Sequence, residues 1–503
     1  MTVTRWKSDP IGNSDDAAAD GFENAGSPYG PDAPPFATAY AFGRANLEAD
    51  LADTKGPKLT TIVDFMGVDG ASPEGTLMTD AAGDLFGTTV VGGADDKGTV
   101  FEIAWTRQGY ASAPTILASF AGYDGEQPAG GLIADGAGDI YGTATGGGTH
   151  GYGTAFELVK IGTGFAASPT TLVDFTGSDG ADPYGGLIAD AAGNLFGTTS
   201  GGVNQSVSTV FEIAKIRRSD APAPTTLVTF DGSDGRLPTG RLIADAAGDL
   251  FGTTDLGGTD DDGVVFEIVK TNGVYANAPT TLVSFTGADG AEPGGGLITD
   301  AAGDLFGTTS AGGADHGGTV FEIAKTGGGY ASAPTVLVSF TGPEGYQPDG
   351  SLIADAAGNL FGTTGLGGPG GANDGTVFEI AKTEDGYASR PTILVTLNGS
   401  NGANPVGSLI ADAAGDLLGT TAGGAHGYGT VFEITHSGYV TRQQVSQAAP
   451  ARADLAHSSA MVAAFVQVIA GATDRGEWSG LVGVQAIRES HQSNLATPRV
   501  AVA

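Results

Sequence analysis

The chain predicts an all-β fold, a seven-bladed β-propeller of repeats about 55 residues long, closed by pairing of its N- and C-terminal strands. Three observations carry this expectation, and the first is a period shared by three rulers. Asp80, Asp135, Asp190, Asp245, Asp300 and Asp355 stand 55 residues apart, and Asp412 follows at 57. Pro114, Pro169, Pro224, Pro279 and Pro334 keep the spacing of 55. A glutamate in a VFEI-like run recurs as Glu102, Glu157, Glu212, Glu267, Glu322, Glu379 and Glu433. The two extra residues of the sixth copy fall in GLGGPGGANDG, where an insertion lengthens a loop without disturbing a strand.

The second observation is the content of one unit. From Pro279 it holds four short runs of strand character, TTLVSF, LITD, LFGTT and TVFEI, each bounded by Gly, Pro, Asp or Asn. Four strands in this length make one propeller blade, whereas a parallel β-helix, the lesser alternative, would use shorter coils. Between LITD and LFGTT runs DAAGD or DAAGN, with DGAGD once, at Asp135 to Asp139. An aspartate at the first turn position accepts backbone N–H groups, and the glycine three residues on takes the left-handed conformation that closes the hairpin. These aspartates therefore read as turn caps. Apolar residues on both faces, as in Val320, Phe321 and Ile323, suit sheets stacked between neighbours.

The third observation is phase. With LITD innermost, the repeat region opens on a lone outer strand, Leu59 to Phe65, and ends on the first three strands of a blade, Leu409 to Ile434. The two ends complete one blade between them and leave no open edge.

Residues 57–440 form the propeller. Residues 1–56, rich in Asp, Ala, Gly and Pro with a weak helical hint in RANLEADLAD, are expected to be a flexible arm. Residues 441–503 are a C-terminal extension in which Leu455, Met461, Phe465 and Val468 or Ile469 stand at the spacing of a short amphipathic helix. The opening MTVTRWKSDPIGNSDD lacks the apolar core of a secretory signal, so export would need another route or an upstream start. No run approaches the roughly 18 apolar residues of a transmembrane helix.

Composition excludes some functions. With 22 Lys and Arg against 57 Asp and Glu, the formal charge of -35 repels nucleic acid. The absence of cysteine rules out disulfides, zinc-thiolate sites and thiol nucleophiles, and leaves the redox compartment open.

The long pattern G-x-D-G-x-x-P-x-x-x-L-I-x-D-A-A-G-N-L-F-G-T-T, followed by GG and GTVFEI, resembles the GloVer tandem-repeat family of bacterial, often surface-associated proteins, over residues 57 to 440. Departures are local: Glu344 and Asn401 replace the turn Asp, Leu418 replaces the aromatic, and VSTVF, from Val207, lacks the usual Gly. The resemblance implies a propeller-like fold and no established activity. A shorter likeness, D-x-x-G-[ND]-[LI]-[FY], is to propellers of the NHL type.

In the expected blade order two loops from each blade emerge on one face. The first contributes Asp69, Asp124, Asp179, Asp234, Asp289 and Glu344, and the second Asp95, Asp96, Asp260, Asp261, Asp262, Asp315 and Asp374. Carboxylates among Gly-rich turns are suited to hard cations such as calcium, although no EF-hand or GGxGxD spacing occurs. These are the candidate ligand-binding residues, with solvated turn residues as the plain alternative. Catalysis would need distinct residues placed once. His150, His316 and His426, with Tyr152 and Tyr428 of a shared HGYGT, read as repeat drift, so no catalytic residue is assigned. The expected function is non-catalytic: an extracellular or surface-associated, monomeric scaffold that binds a glycan or protein. A propeller hydrolase or lyase with calcium near the channel is the enzyme alternative.

Overall fold

In the computed structural model, residues 56–201, 208–215, 223–371 and 373–442 are described. The expected arm and C-terminal helix lie outside these residues, apart from 56 and 441–442. The first blade shows how a repeat folds. Met78–Thr79, Leu85–Thr89, Thr99–Ile103 and Thr115–Ser119 pair antiparallel in chain order. Blades 2 to 7 begin at Ile133, Ile188, Ile243, Ile298, Ile353 and Ile410 and use the same order, giving seven four-stranded sheets. The seventh is completed from the other end of the repeat region. Its third strand, Thr430–Thr435, pairs with Lys58–Asp64, with Lys58 opposite Thr435, Thr60 opposite Glu433 and Asp64 opposite Thr430. The expected closure is the observed one.

The hairpin chemistry follows the sequence. In blade 1 Asp80 Oδ1 accepts the Ala82 and Asp84 amides at 2.8 and 3.1 Å, and Gly83 has φ +87°. The last turn residue reaches further, since Asp84 Oδ1 accepts the Trp105 amide at 2.6 Å and so ties the turn to the chain leaving the third strand.

Packing is between blades. Seven buried clusters lie one at each blade interface, including the seam of blades 7 and 1, where Val63, Ile410, Leu418 and Val431 meet Leu77, Leu85, Phe101 and Ile103. The third-strand phenylalanine is fully buried in every blade, each worth about 1.5–3 kcal/mol against exposure. In six interfaces it meets a second phenylalanine, as in Phe285 and Phe321 at 5.1 Å, and at the remaining one Leu397 stands in that position. The glycine of LFGTT makes room for this ring: a Cβ on Gly307 would lie 2.5 Å from Phe321 Cζ.

The axis is lined by the residues entering each first strand. A Cβ on Gly75 would stand 2.9 Å from the Gly130 carbonyl of the next blade, and one on Gly407 would stand 2.8 Å from the Glu74 carbonyl. Gly185, Gly240, Gly295 and Gly350 make the same approach to the blade after them, at 2.9 to 3.3 Å, so these contacts run round the ring.

Two features differ from the expected four plain strands. After the third strand the chain forms a small ribbon, as at Lys325–Thr326 with Gly329–Tyr330, in five blades among the described residues. Its aromatic reaches back over the preceding blade: Tyr330 meets Phe251 at 5.5 Å and Tyr387 meets Phe306 at 5.6 Å. Behind blade 7, Tyr439 takes the same role against Phe361 at 5.2 Å. Each outermost strand also carries a one-residue bulge, skipping Leu117 in blade 1 and Ile62 in blade 7.

Candidate functional site

The loops between second and third strands, and those linking one blade to the next, share the face opposite the ribbons. Most of the sequence-predicted carboxylates here serve their own turns. Asp69, Asp124, Asp179, Asp234 and Asp289 each accept, through Oδ1, the amide three residues back at 2.7 to 2.9 Å. Glu344 takes the Thr341 hydroxyl instead. Asp96 and Asp261 sit at left-handed φ of 56° and 67°, and each accepts a glycine amide at 2.9 Å. Asp261 also holds Arg236, at 2.7 and 3.2 Å. Burial, with Asp260, Asp261 and Asp289 nearby, pushes the Asp262 carboxyl up. Asp95, Asp260 and Asp315 are exposed, and the Asp374 carbonyl accepts the Asn404 amide at 2.9 Å. Among the described residues no three His, Cys, Asp or Glu side chains come together as a group that could hold a metal ion.

Two of the loop histidines have partners that sequence reading missed. His426 Nδ1 lies 2.6 Å from Asp64 Oδ2, and His150 Nδ1 lies 3.4 Å from Asp174 Oδ2. At this strand end the other copies carry Ser119, Thr229, Ser284, Ser339 and Thr396, so aspartate appears where the loop carries HGYGT. These changes are coupled by contact. Although burial works to raise it, the Asp174 carboxyl is held low by the Thr149 hydroxyl and amide and by His150. The matching tyrosines pack on the linking loops: a Cβ on Gly67 would lie 3.0 Å from the Tyr428 ring, and one on Gly177 would lie 3.1 Å from the Tyr152 ring. His316 is exposed at φ 57°, a position held by Asp96 and Asp261 in other blades.

The mouth of the channel holds residues that sequence reading did not select. Each linking loop reads x-P-x-G-x-L, and the flanking Pro, Gly and Leu are the same in all seven copies. The residue before the proline is Ser72, Gln127, Asp182, Leu237, Glu292, Gln347 or Asn404, always at φ between 52° and 58°. Two blades fix this strained backbone: the Glu292 amide donates to Asp262 O at 3.1 Å across the interface, and Glu292 O accepts the Ser310 amide at 3.0 Å. Between proline and glycine stand Glu74, Ala129, Tyr184, Thr239, Gly294, Asp349 and Val406, seven different residues. Between glycine and leucine stand Thr76, Gly131, Gly186, Arg241, Gly296, Ser351 and Ser408.

These positions surround the axis. Ala129 of blade 2 and Val406 of blade 7, which are not neighbours in the ring, share one buried cluster, with Tyr184, Val90 and Ala422 packed against it. Other groups at the mouth are polar. Thr239 Oγ1 donates to Asp255 Oδ1 at 2.6 Å, with both side chains buried. A Cβ on Gly365 would lie 3.0 Å from Asn404 Oδ1 and 3.2 Å from Asp349 Oδ2, so these two groups converge on the space a side chain would fill. Burial alone pushes the Asp182 carboxyl up. The signal that could have found the mouth is variation: one position that differs in every copy, framed by a proline and a glycine that never change.

The fold and this mouth define a seven-bladed propeller assembled from one repeated unit. A family model described as the Gloeobacter/Verrucomicrobia repeat matches residues 51–245, 106–303 and 244–481, and the chain belongs to that family. No curated protein is a significant match. Among solved structures, a putative 6-phosphogluconolactonase from Bacteroides uniformis is similar at a TM-score of 0.44 and 16% identity, over 66% of this chain and 87% of that one. A putative oxidoreductase (glucose dehydrogenase) from Thermus thermophilus is similar at 0.39 and 13%, over 75% of this chain and 100% of that one. At these scores neither bears on activity.

Proposed function

We propose that this chain is a non-catalytic binding module, working outside the cell or on its surface, whose ligand enters the channel mouth on the loop face. One observation carries the reading. The half-buried Glu74, Tyr184, Arg241 and Asp349 occur once each at positions where the repeat offers seven chances of the same residue. Exposed loops vary because nothing constrains them, but these residues sit in a packed ring where substitution is costly unless it serves a use. Surface association is what the family resemblance implies.

The test is a ligand screen of the full chain by thermal shift, repeated on Glu74→Gln with Asp349→Asn, followed by NMR of any stabilising compound left with the protein. A stabilising ligand that is lost in the double variant and recovered unaltered supports a binding module. Steady conversion of that ligand would establish the hydrolase or lyase alternative instead.

A further inference from the structure

Resting on the mouth reading above, we infer that the ligand is a neutral saccharide, seated over the axis by Glu74, Tyr184, Arg241, Asp349 and Asn404. The balance of charge gives the first argument. Arg241 is the one basic residue of the two innermost ring positions among the described residues, and it stands with two carboxylates there, Glu74 and Asp349. With Asp182 and Glu292 on the next ring outward, the mouth is net acidic and disfavours phosphate, sulfate or uronate groups.

The second argument is the kind of donor and acceptor. Carboxylates accept hydroxyl hydrogens, a guanidinium fork donates to neighbouring oxygens, and an amide does both, which is the set that reads adjacent hydroxyls on a sugar ring. Tyr184 adds an aromatic body fixed against Ala129 and Val406, to which the C–H face of a pyranose can pack. Gly131, Gly186, Gly294 and Gly296 keep the floor low.

The third argument is independent of the charged groups. The Thr76 and Ser351 side chains, on the innermost ring, are 3% and 1% exposed, and their hydroxyls have no hydrogen-bond partner within the protein. Ser351 Oγ lies 2.9 Å from the point a Cβ of Gly296 would occupy, so it fills the room that glycine leaves. A buried hydroxyl without a partner carries a desolvation cost of about 1–3 kcal/mol, which a hydroxylated ligand would offset on drawing the side chain into the mouth.

The experiment measures binding of cellotetraose, maltotetraose and xylotetraose to the full chain by calorimetry, with polygalacturonate as the anionic and spermidine as the cationic comparator. At least one neutral oligosaccharide should bind. Its affinity should fall tenfold or more in Asp349→Asn and in Tyr184→Ala, hold within threefold in Tyr184→Phe, and stay unchanged in the rim variant Asp179→Asn. Melting temperature, read for each variant, separates loss of binding from loss of fold. If no neutral saccharide binds while a charged comparator does, and that binding is lost in Asp349→Asn, the saccharide class fails and the mouth reading stands. If saccharide binding survives Asp349→Asn and Tyr184→Ala but falls in Asp179→Asn, both fail.

Discussion

The two faces of the ring are made from the same seven copies, yet one face repeats and the other does not. On the ribbon face the turn aspartates, the lysines Lys160, Lys270, Lys325 and Lys382, and the aromatics beside them return blade after blade with the same partners. On the loop face the residue between proline and glycine differs in all seven copies, although the backbone just before that proline keeps one φ to within 6°. The chain thus holds geometry constant while it changes chemistry. Side chains that hold blades together can be copied sevenfold without conflict, whereas a single ligand on the axis meets seven edges and needs each to differ.

The strongest test of the repeated half is at its seam. Deleting residues 57–66 removes the strand opposite Gly429 to Ile434 and should convert the protein to aggregates visible by light scattering; a soluble monomer with unchanged melting would mean the ring is not closed there. Next, equivalent core changes should cost the same wherever they are made. Phe156→Ala and Phe321→Ala should each lose about 3–5 kcal/mol in urea unfolding, since both rings are fully buried in equivalent interfaces. A large gap between the two would show that the interfaces are not equivalent.

A smaller effect comes from acid. Burial raises the carboxyls of Glu102, Glu212, Glu267, Glu322 and Glu379. The folded chain therefore keeps protons that the unfolded chain has released, and stability falls as pH rises from the ordinary glutamate range through the folded values. Asp174, Asp231 and Asp261 are shifted down and act the other way, with stability that is lost only as pH falls below the usual aspartate range. Melting temperature should accordingly climb as pH is lowered from 7 to about 5, and a flat or falling profile would contradict the burial argument.

The mouth should respond least. Asp349→Asn should move unfolding free energy by no more than about 0.5 kcal/mol, because the amide keeps the shape and one acceptor oxygen of a partly exposed side chain; a loss above about 2 kcal/mol would make it a structural residue. Calcium should add nothing beyond a matched ionic strength of sodium chloride, because the rim carboxylates already cap their own loops. A calcium-specific rise in melting temperature that Asp179→Asn, Asp234→Asn and Asp289→Asn erase together would support the metal reading.

Legibility from sequence followed the distance over which a feature is written. Blade number, hairpin turns and the closing strand were readable because Asp80 and Gly83, or Leu59 and Phe65, lie within one repeat and recur. The ribbons were not, since two-residue strands joined by two more residues look like a turn. Nor was the bulge, because Ile116, Leu117 and Ala118 read as one continuous apolar run. His426 and Asp64 are 362 residues apart and meet only when the ring closes. The mouth residues were passed over for the same reason: Tyr184 and Asp349 read as loop variation until seven loops are drawn to one axis.

Closure by one more copy of the outer strand has a bearing on how such genes change length. The seam between Lys58–Asp64 and Thr430–Thr435 has the register, and even the bulge, of the pairing between Thr115–Ser119 and Thr99–Ile103. A gene that lost or gained one 55-residue unit by recombination would present the same two strands to each other. Strand pairing, then, does not count blades. A change in number would instead be felt at the axis, where a Cβ on Gly75, Gly185, Gly240, Gly295, Gly350 or Gly407 would come within 2.8 to 3.3 Å of a backbone carbonyl of the following blade.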